Sequence, residues 1–192
     1  MQDQIVKSPT KYESIKLATE AMGFTMPSDL QTGGLLRTLI ASKPAGRFLE
    51  LGTGTGLSLS WIVEAMDEKS EVISIDNDET VISIARDHFS VDSQVTILCQ
   101  DAGQWILEHT KQRFDLIFAD AWPGKYEYLD ETLDLLDIGG VYFIDDMVAQ
   151  PNWPEGHEEK AMELLKYLAT RKDFILTQMS WSTGLVIATK VA

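Results

Sequence analysis

The stretch Arg47-Phe48-Leu49-Glu50-Leu51-Gly52-Thr53-Gly54-Thr55-Gly56-Leu57-Ser58 decides how this chain is read. Phe48, Leu49 and Leu51 form a short buried-strand pattern. Gly52, Gly54 and Gly56 make the loop that follows, and Leu59, Ile62, Val63 and Met66 recur at helical spacing. A strand that turns through glycines into a helix brings backbone N–H groups against a ligand. No Gly-Lys-Ser/Thr follows, which excludes a phosphate-binding P-loop. The glycines run G-x-G-x-G rather than G-x-G-x-x-G, and Glu50 stands just ahead of them. A carboxylate there repels a pyrophosphate and suits a cationic ligand.

Outward from this loop, strand-like and helix-like segments alternate. Candidate strands cover 47–51, 72–76, 95–99, 114–119 and 140–145, with cores such as Val72-Ile73-Ser74-Ile75 and Val141-Tyr142-Phe143-Ile144. Such runs belong to a parallel sheet covered on both faces. Helical patterns fall between them at about 57–68, 78–90, 102–111 and 126–137. Asn152 and Glu155 are spaced as a capping box with Pro154 in the first turn, which predicts a helix over 154–171. Strands over 173–179 and 184–190, joined by Ser180–Thr183, are expected to pair antiparallel. The pattern predicts a doubly wound α/β fold of seven strands, mostly parallel, with an antiparallel last strand. Two helices, 8–23 and 29–43, precede the first strand. No linker, repeat or low-complexity tract divides the chain. Residues 1–192 read as one domain, with N-terminal helices over 1–45 and a Rossmann-like core over 46–192.

Composition narrows the partners. A formal net charge of −14 with no Lys/Arg cluster argues against nucleic acid. Cys99 is the single cysteine and cannot form an internal disulfide, which is compatible with a reducing compartment. Met1-Gln2-Asp3-Gln4 lacks the basic and apolar segments of a signal peptide, and no apolar run is long enough to span a membrane. The expectation is a cytoplasmic protein without a membrane partner.

Ligands of open α/β sheets bind outside the carboxyl ends of the strands. Strand two ends at Asp76, with Asn77 beside it, where an acid can take both hydroxyls of a ribose. An N-cap role falls more naturally to Asn77 or Asp78. Strand three leads to Asp101 and Ala102, a carboxylate and a backbone N–H able to read an adenine edge, and Asp101 can also cap the next helix. S-adenosylmethionine, with its ammonium and sulfonium charges and its ribose, fits Glu50, the loop and Asp76 together. Strand four ends at Asp120 and strand five at Asp145-Asp146. Three carboxylates in one cleft repel unless something positive sits between them. A hard divalent cation, Mg²⁺, would resolve this through Asp120, Asp145 and Asp146. The alternative is that Asp145 and Asp146 only cap and hydrogen-bond a loop.

With these residues the sequence resembles the class I S-adenosylmethionine-dependent methyltransferases, and within them the catechol and caffeoyl-CoA O-methyltransferase group. The resemblance runs from Met26 to the final strand. It implies that Glu50, Gly52, Thr53 and Gly54 hold the methionyl part, with Ser58 at the start of the helix. Met26 and Ser28 would close over the same end. Asp76 and Asn77 would serve the ribose, and Asp101, Ala102 and Trp122 would frame adenine. It also implies Mg²⁺ on Asp120, Asp145 and Asp146. The catechol enzymes carry a lysine three residues after the strand-four acid, where this chain has Pro123. Lys125 is the nearest candidate base, with a solvent-facing loop lysine as the alternative. Trp153 and His157, in the loop after strand five, either wall an acceptor pocket or serve as a staple and a surface histidine.

The implied reaction is Mg²⁺-assisted methyl transfer to an oxygen of a small acceptor, with Lys125 and Asp120 as catalytic residues. A homodimer is compatible with this reading. Three alternatives stay open at this level: a metal-free methyltransferase, an NAD-dependent oxidoreductase, and a non-catalytic S-adenosylmethionine-binding protein.

Overall fold

The computed structural model describes residues 7–150 and 153–192. Seven strands form one sheet in the order β3-β2-β1-β4-β5-β7-β6. They are β1 (Arg47–Leu51), β2 (Glu71–Asp76), β3 (Val95–Cys99), β4 (Phe114–Ala119), β5 (Leu136–Ile144), β6 (Phe174–Met179) and β7 (Leu185–Lys190). The first five run parallel, and β7 lies antiparallel between β5 and β6. The expected doubly wound sheet with an antiparallel last strand is what forms.

Helices α1 (Tyr12–Met22), α2 (Leu30–Ala41), α3 (Leu57–Ala65) and α4 (Glu79–Phe89) cover one face. Helices α5 (Ala102–Glu108), α6 (Leu129–Asp134) and α7 (His157–Thr170) cover the other. Strand alternation sorts the side chains between the two cores. Phe48, Leu116, Phe118, Val141 and Phe143 face the first group, and Leu49, Leu51, Ile117, Tyr142 and Ile144 the second. Both cores are fully buried, which is why the strands read as continuous apolar runs.

Several helices are shorter than expected, α1 starting at Tyr12 and α3 and α5 ending at Ala65 and Glu108, and two further boundaries bear on the site. Strand β5 begins at Leu136 rather than 140, and α6 is correspondingly short. Leu136 pairs with Phe114, and the register then shifts before Leu116 meets Val141. Gly139, at φ 85°, makes this irregularity accessible to the backbone. Helix α7 starts at His157 behind Gly156, which adopts the left-handed conformation at φ 82°. Asn152, expected to cap this helix, lies outside the described residues. Among the described residues, no helix is long and apolar enough to cross a membrane.

Candidate active site

Strand order reverses between β1 and β4, and a crevice opens there at the carboxyl ends. The chain leaves β1 through Gly52, whose φ of 100° favours glycine. A Cβ at Gly52 would stand 2.9 Å from the carbonyl oxygen of Asp120. Glycine therefore lets the loop pass against the end of β4. Below it, Glu50 pairs in register with Ser74 of β2 and is fully buried. The Ser74 hydroxyl donates to Glu50 Oε2. Glu50 Oε1 is buried without a hydrogen-bond partner among the described residues. Burial pushes this carboxyl up to about 7, against the Ser58 and Ser74 hydroxyls, which favour its charged form.

The loop is tied to the next strand end. Asp76 accepts from Gly54 N at 2.8 Å through Oδ2 and from Asp78 N at 3.1 Å through Oδ1. Asp78, not Asp76, caps α4 through Thr80 N and Val81 N. Asp101 caps α5 by accepting from Gln104 N at 2.7 Å.

On the other side of the crevice, three acids and a lysine line the same wall. Residues Trp122–Tyr126 fold into a tight turn, with Tyr126 N donating to Trp122 O at 2.9 Å. The turn sends Lys125 inward toward β5. Its Nζ donates to the carbonyl of Asp145 at 2.6 Å and to that of Asp146 at 3.4 Å. Lys125 is 4% exposed. Asp145 Oδ1 accepts from Asp146 N at 2.8 Å and from the Thr183 hydroxyl. Asp120 Oδ2 accepts from Ser28 at 3.1 Å. Burial, and then the neighbouring Asp145, push Asp120 well above the usual carboxylate range. Burial also raises Asp145 to about 6. Lys125 is lowered by burial, with the three carboxylates opposing that shift.

Aromatic rings close the outer end. His157 stacks on Trp153 with ring centroids 4.3 Å apart, and its Nε2 is 3.0 Å from the Tyr126 hydroxyl. Trp122 meets His157 and Tyr126 edge-on.

These parts line one cavity of about 580 Å³. Its inner wall carries Gly52, Thr53, Gly54 and Ser58, and its side Asp76 and Asn77. Met26 and Ser28 come from the segment before α2. Asp120, Trp122, Lys125, Asp145 and Asp146 complete the far end. Glu50 lies beneath the floor rather than on it, and Asp101 and Ala102 stand outside the lining. Phe24, Val81, Gln150 and Thr183 also line the cavity and were not foreseen. None belongs to a motif. Thr183 arrives only because the β6–β7 turn folds back over β5.

Residues 49–147, just over half of the chain, match a family described as a methyltransferase domain. The chain belongs to that family. Tapetum-specific methyltransferase 1 of Arabidopsis thaliana is 25% identical over 95% of the chain and 88% of its own length. Caffeoyl-CoA O-methyltransferase of Populus kitakamiensis is 27% identical over 72% of the chain and 65% of its own length. The same fold is seen in the O-methyltransferase TomG of Streptomyces achromogenes, solved in complex with SAM. Its TM-score is 0.83 at 22% identity, covering 98% of this chain and 92% of that one.

In this methyltransferase the magnesium site expected at Asp120, Asp145 and Asp146 is not formed. Among the described residues, no group of three acidic, histidine or cysteine side chains is arranged to hold a metal ion. A Mg²⁺ ion needs an octahedral shell of oxygens at about 2.1 Å. Asp145 Oδ1 is taken up by Asp146 N and Thr183, and the Lys125 ammonium already sits at the end of β5 on the carbonyls of Asp145 and Asp146. A second cation beside it would be repelled at short range. At the other end, Glu50 Oε1 is buried beneath the floor without a hydrogen-bond partner among the described residues.

Proposed function

We propose that this methyltransferase moves the methyl group of S-adenosylmethionine to an oxygen of a small hydroxylated acceptor. The observation that carries this is the orphaned Glu50 Oε1 under the glycine loop, with Asp76 at the next strand end. Bound, S-adenosylmethionine would supply an electrophilic methyl group on a sulfonium sulfur. The chain supplies the rest. Glu50 would attract the ammonium from beneath the floor, the backbone N–H groups of the loop would hold the carboxylate, and Asp76 the ribose hydroxyls.

Asp120 would take the proton from the acceptor hydroxyl, a task suited to a carboxylate whose proton affinity burial has raised. Tyr126, Trp153 and His157 would wall the acceptor and exclude water. Catalysis on this plan is mainly positioning. The residues present do not fit a magnesium ion, so the transfer on this plan uses none. A cytoplasmic setting is supported by the single cysteine.

Calorimetry with S-adenosylhomocysteine and with NAD⁺ tests the cofactor. Binding of the first and not the second is expected. Labelled S-adenosylmethionine offered with small phenols, vicinal diols and hydroxy acids should then yield methyl ethers. NAD⁺ binding without S-adenosylhomocysteine binding would overturn the reading.

A further inference from the structure

The cavity wall that carries Asp120, Asp145 and Asp146 already holds a buried cation, the Lys125 ammonium. Lys125 is buried, and two of its three ammonium donors go to the carbonyls of Asp145 and Asp146. One donor is left for a further oxygen. Lys125 lines the cavity together with Tyr126 and Asp120. Its Nζ lies 5.2 Å from the centroid of the Tyr126 ring.

We propose that the Lys125 ammonium is the built-in cation of the acceptor site, and that it binds the acceptor oxygen in place of a divalent metal. The inference rests on the methyl-transfer reading and deepens it. Lys125 Nζ would donate to the acceptor oxygen as that oxygen loses its proton to Asp120. The O–C bond forms as the C–S bond breaks, and the electron pair of that bond stays on sulfur. The ammonium keeps its own proton and stabilises the oxyanion.

The turn at Trp122–Tyr126 holds this lysine in place. Gly124, at φ 87°, reverses the chain under Leu51, where a Cβ would stand 2.2 Å from Leu51 Cδ1. Tyr142 donates its hydroxyl to the Gly124 carbonyl and locks the turn from below. Lys125 is thereby aimed at the end of β5, although it stands two residues beyond the lysine position of the catechol enzymes.

The test is a melting-temperature titration of the chelator-treated full-length protein, with Mg²⁺ against NaCl at matched ionic strength. The wild type should show the same melting temperature in both salts and no saturable heat on calorimetric titration with Mg²⁺. Lys125→Met removes the positive charge from the wall that carries the three acids. It should gain a Mg²⁺-specific rise of about 3–6 °C at a tenfold excess over the dissociation constant. Adding Asp145→Asn should abolish that gain. S-adenosylhomocysteine affinity should stay within about twofold in Lys125→Met while turnover falls about 100-fold or more. Saturable Mg²⁺ binding by the wild type that Asp145→Asn removes would overturn the proposal. So would a folded Lys125→Met variant indifferent to Mg²⁺. The wild-type titration decides even where the variant does not fold. Loss of S-adenosylhomocysteine binding by the wild type would instead sink the cofactor reading.

Discussion

Gly54 N donates to Asp76 Oδ2 at 2.8 Å, so the loop after β1 is held by the acid that ends β2. One carboxylate therefore shapes the loop and offers its remaining lone pairs to the cavity. Asp76→Ala should cost about 2–4 kcal/mol of S-adenosylhomocysteine affinity, from charge-assisted bonds partly replaced by water. Asp76→Asn keeps an acceptor for Gly54 N and should lose less. Equal affinity in all three proteins by calorimetry would confine Asp76 to a structural role.

Glu50 makes stability and binding depend on pH in opposite senses. Its folded pKa is about 7 against an ordinary 4.5, so the native state keeps a proton that the unfolded chain has released. Stability contributed by this group is full below pH 4.5 and is lost as pH rises to about 7. The loss is about 3 kcal/mol at 1.36 per unit. Urea unfolding of the wild type and of Glu50→Gln between pH 4 and 8 checks this. The difference between the two curves should fall across that window, and parallel curves would refute the assignment. S-adenosylhomocysteine affinity should instead improve as pH rises toward 7, because an ionised Glu50 pairs with the ligand ammonium.

Gly52→Ala places a Cβ 2.9 Å from the Asp120 carbonyl oxygen at a φ of 100°. Strain plus displacement should cost about 1–3 kcal/mol and lower the melting temperature by roughly 3–10 °C. Gly23, at φ 76°, has nothing within 4 Å of its would-be Cβ. Gly23→Ala should therefore be the milder change. A melting temperature for Gly52→Ala no lower than that of Gly23→Ala would show that β4 yields without cost.

His157→Ala removes the stack on Trp153 and the partner of the Tyr126 hydroxyl. Acceptor KM should rise about 10-fold, with S-adenosylhomocysteine affinity within about twofold. A loss confined to cofactor affinity would move His157 out of the acceptor wall.

The local parts of this protein were legible in its sequence. Apolar strand cores, helical periodicity and the β6–β7 connection depend on backbone preferences and on which side chains must be buried. Those are properties of short stretches. The Glu50–glycine–Asp76 constellation was legible for the same reason, because strand ends in a parallel sheet face one edge. The shortness of α6 and the early start of β5 were not, since the Phe114–Leu136 pairing couples residues on different strands. Nor was the charge balance among the acids. From sequence, Asp120, Asp145 and Asp146 called for an external cation, and Lys125 could equally face solvent. Only the packed turn over Leu51 and Tyr142 aims Lys125 at Asp145, and only the insertion of β7 between β5 and β6 brings Thr183 onto the same carboxylate. Contacts of that kind depend on how distant segments are stacked, and no periodicity in a single segment encodes them.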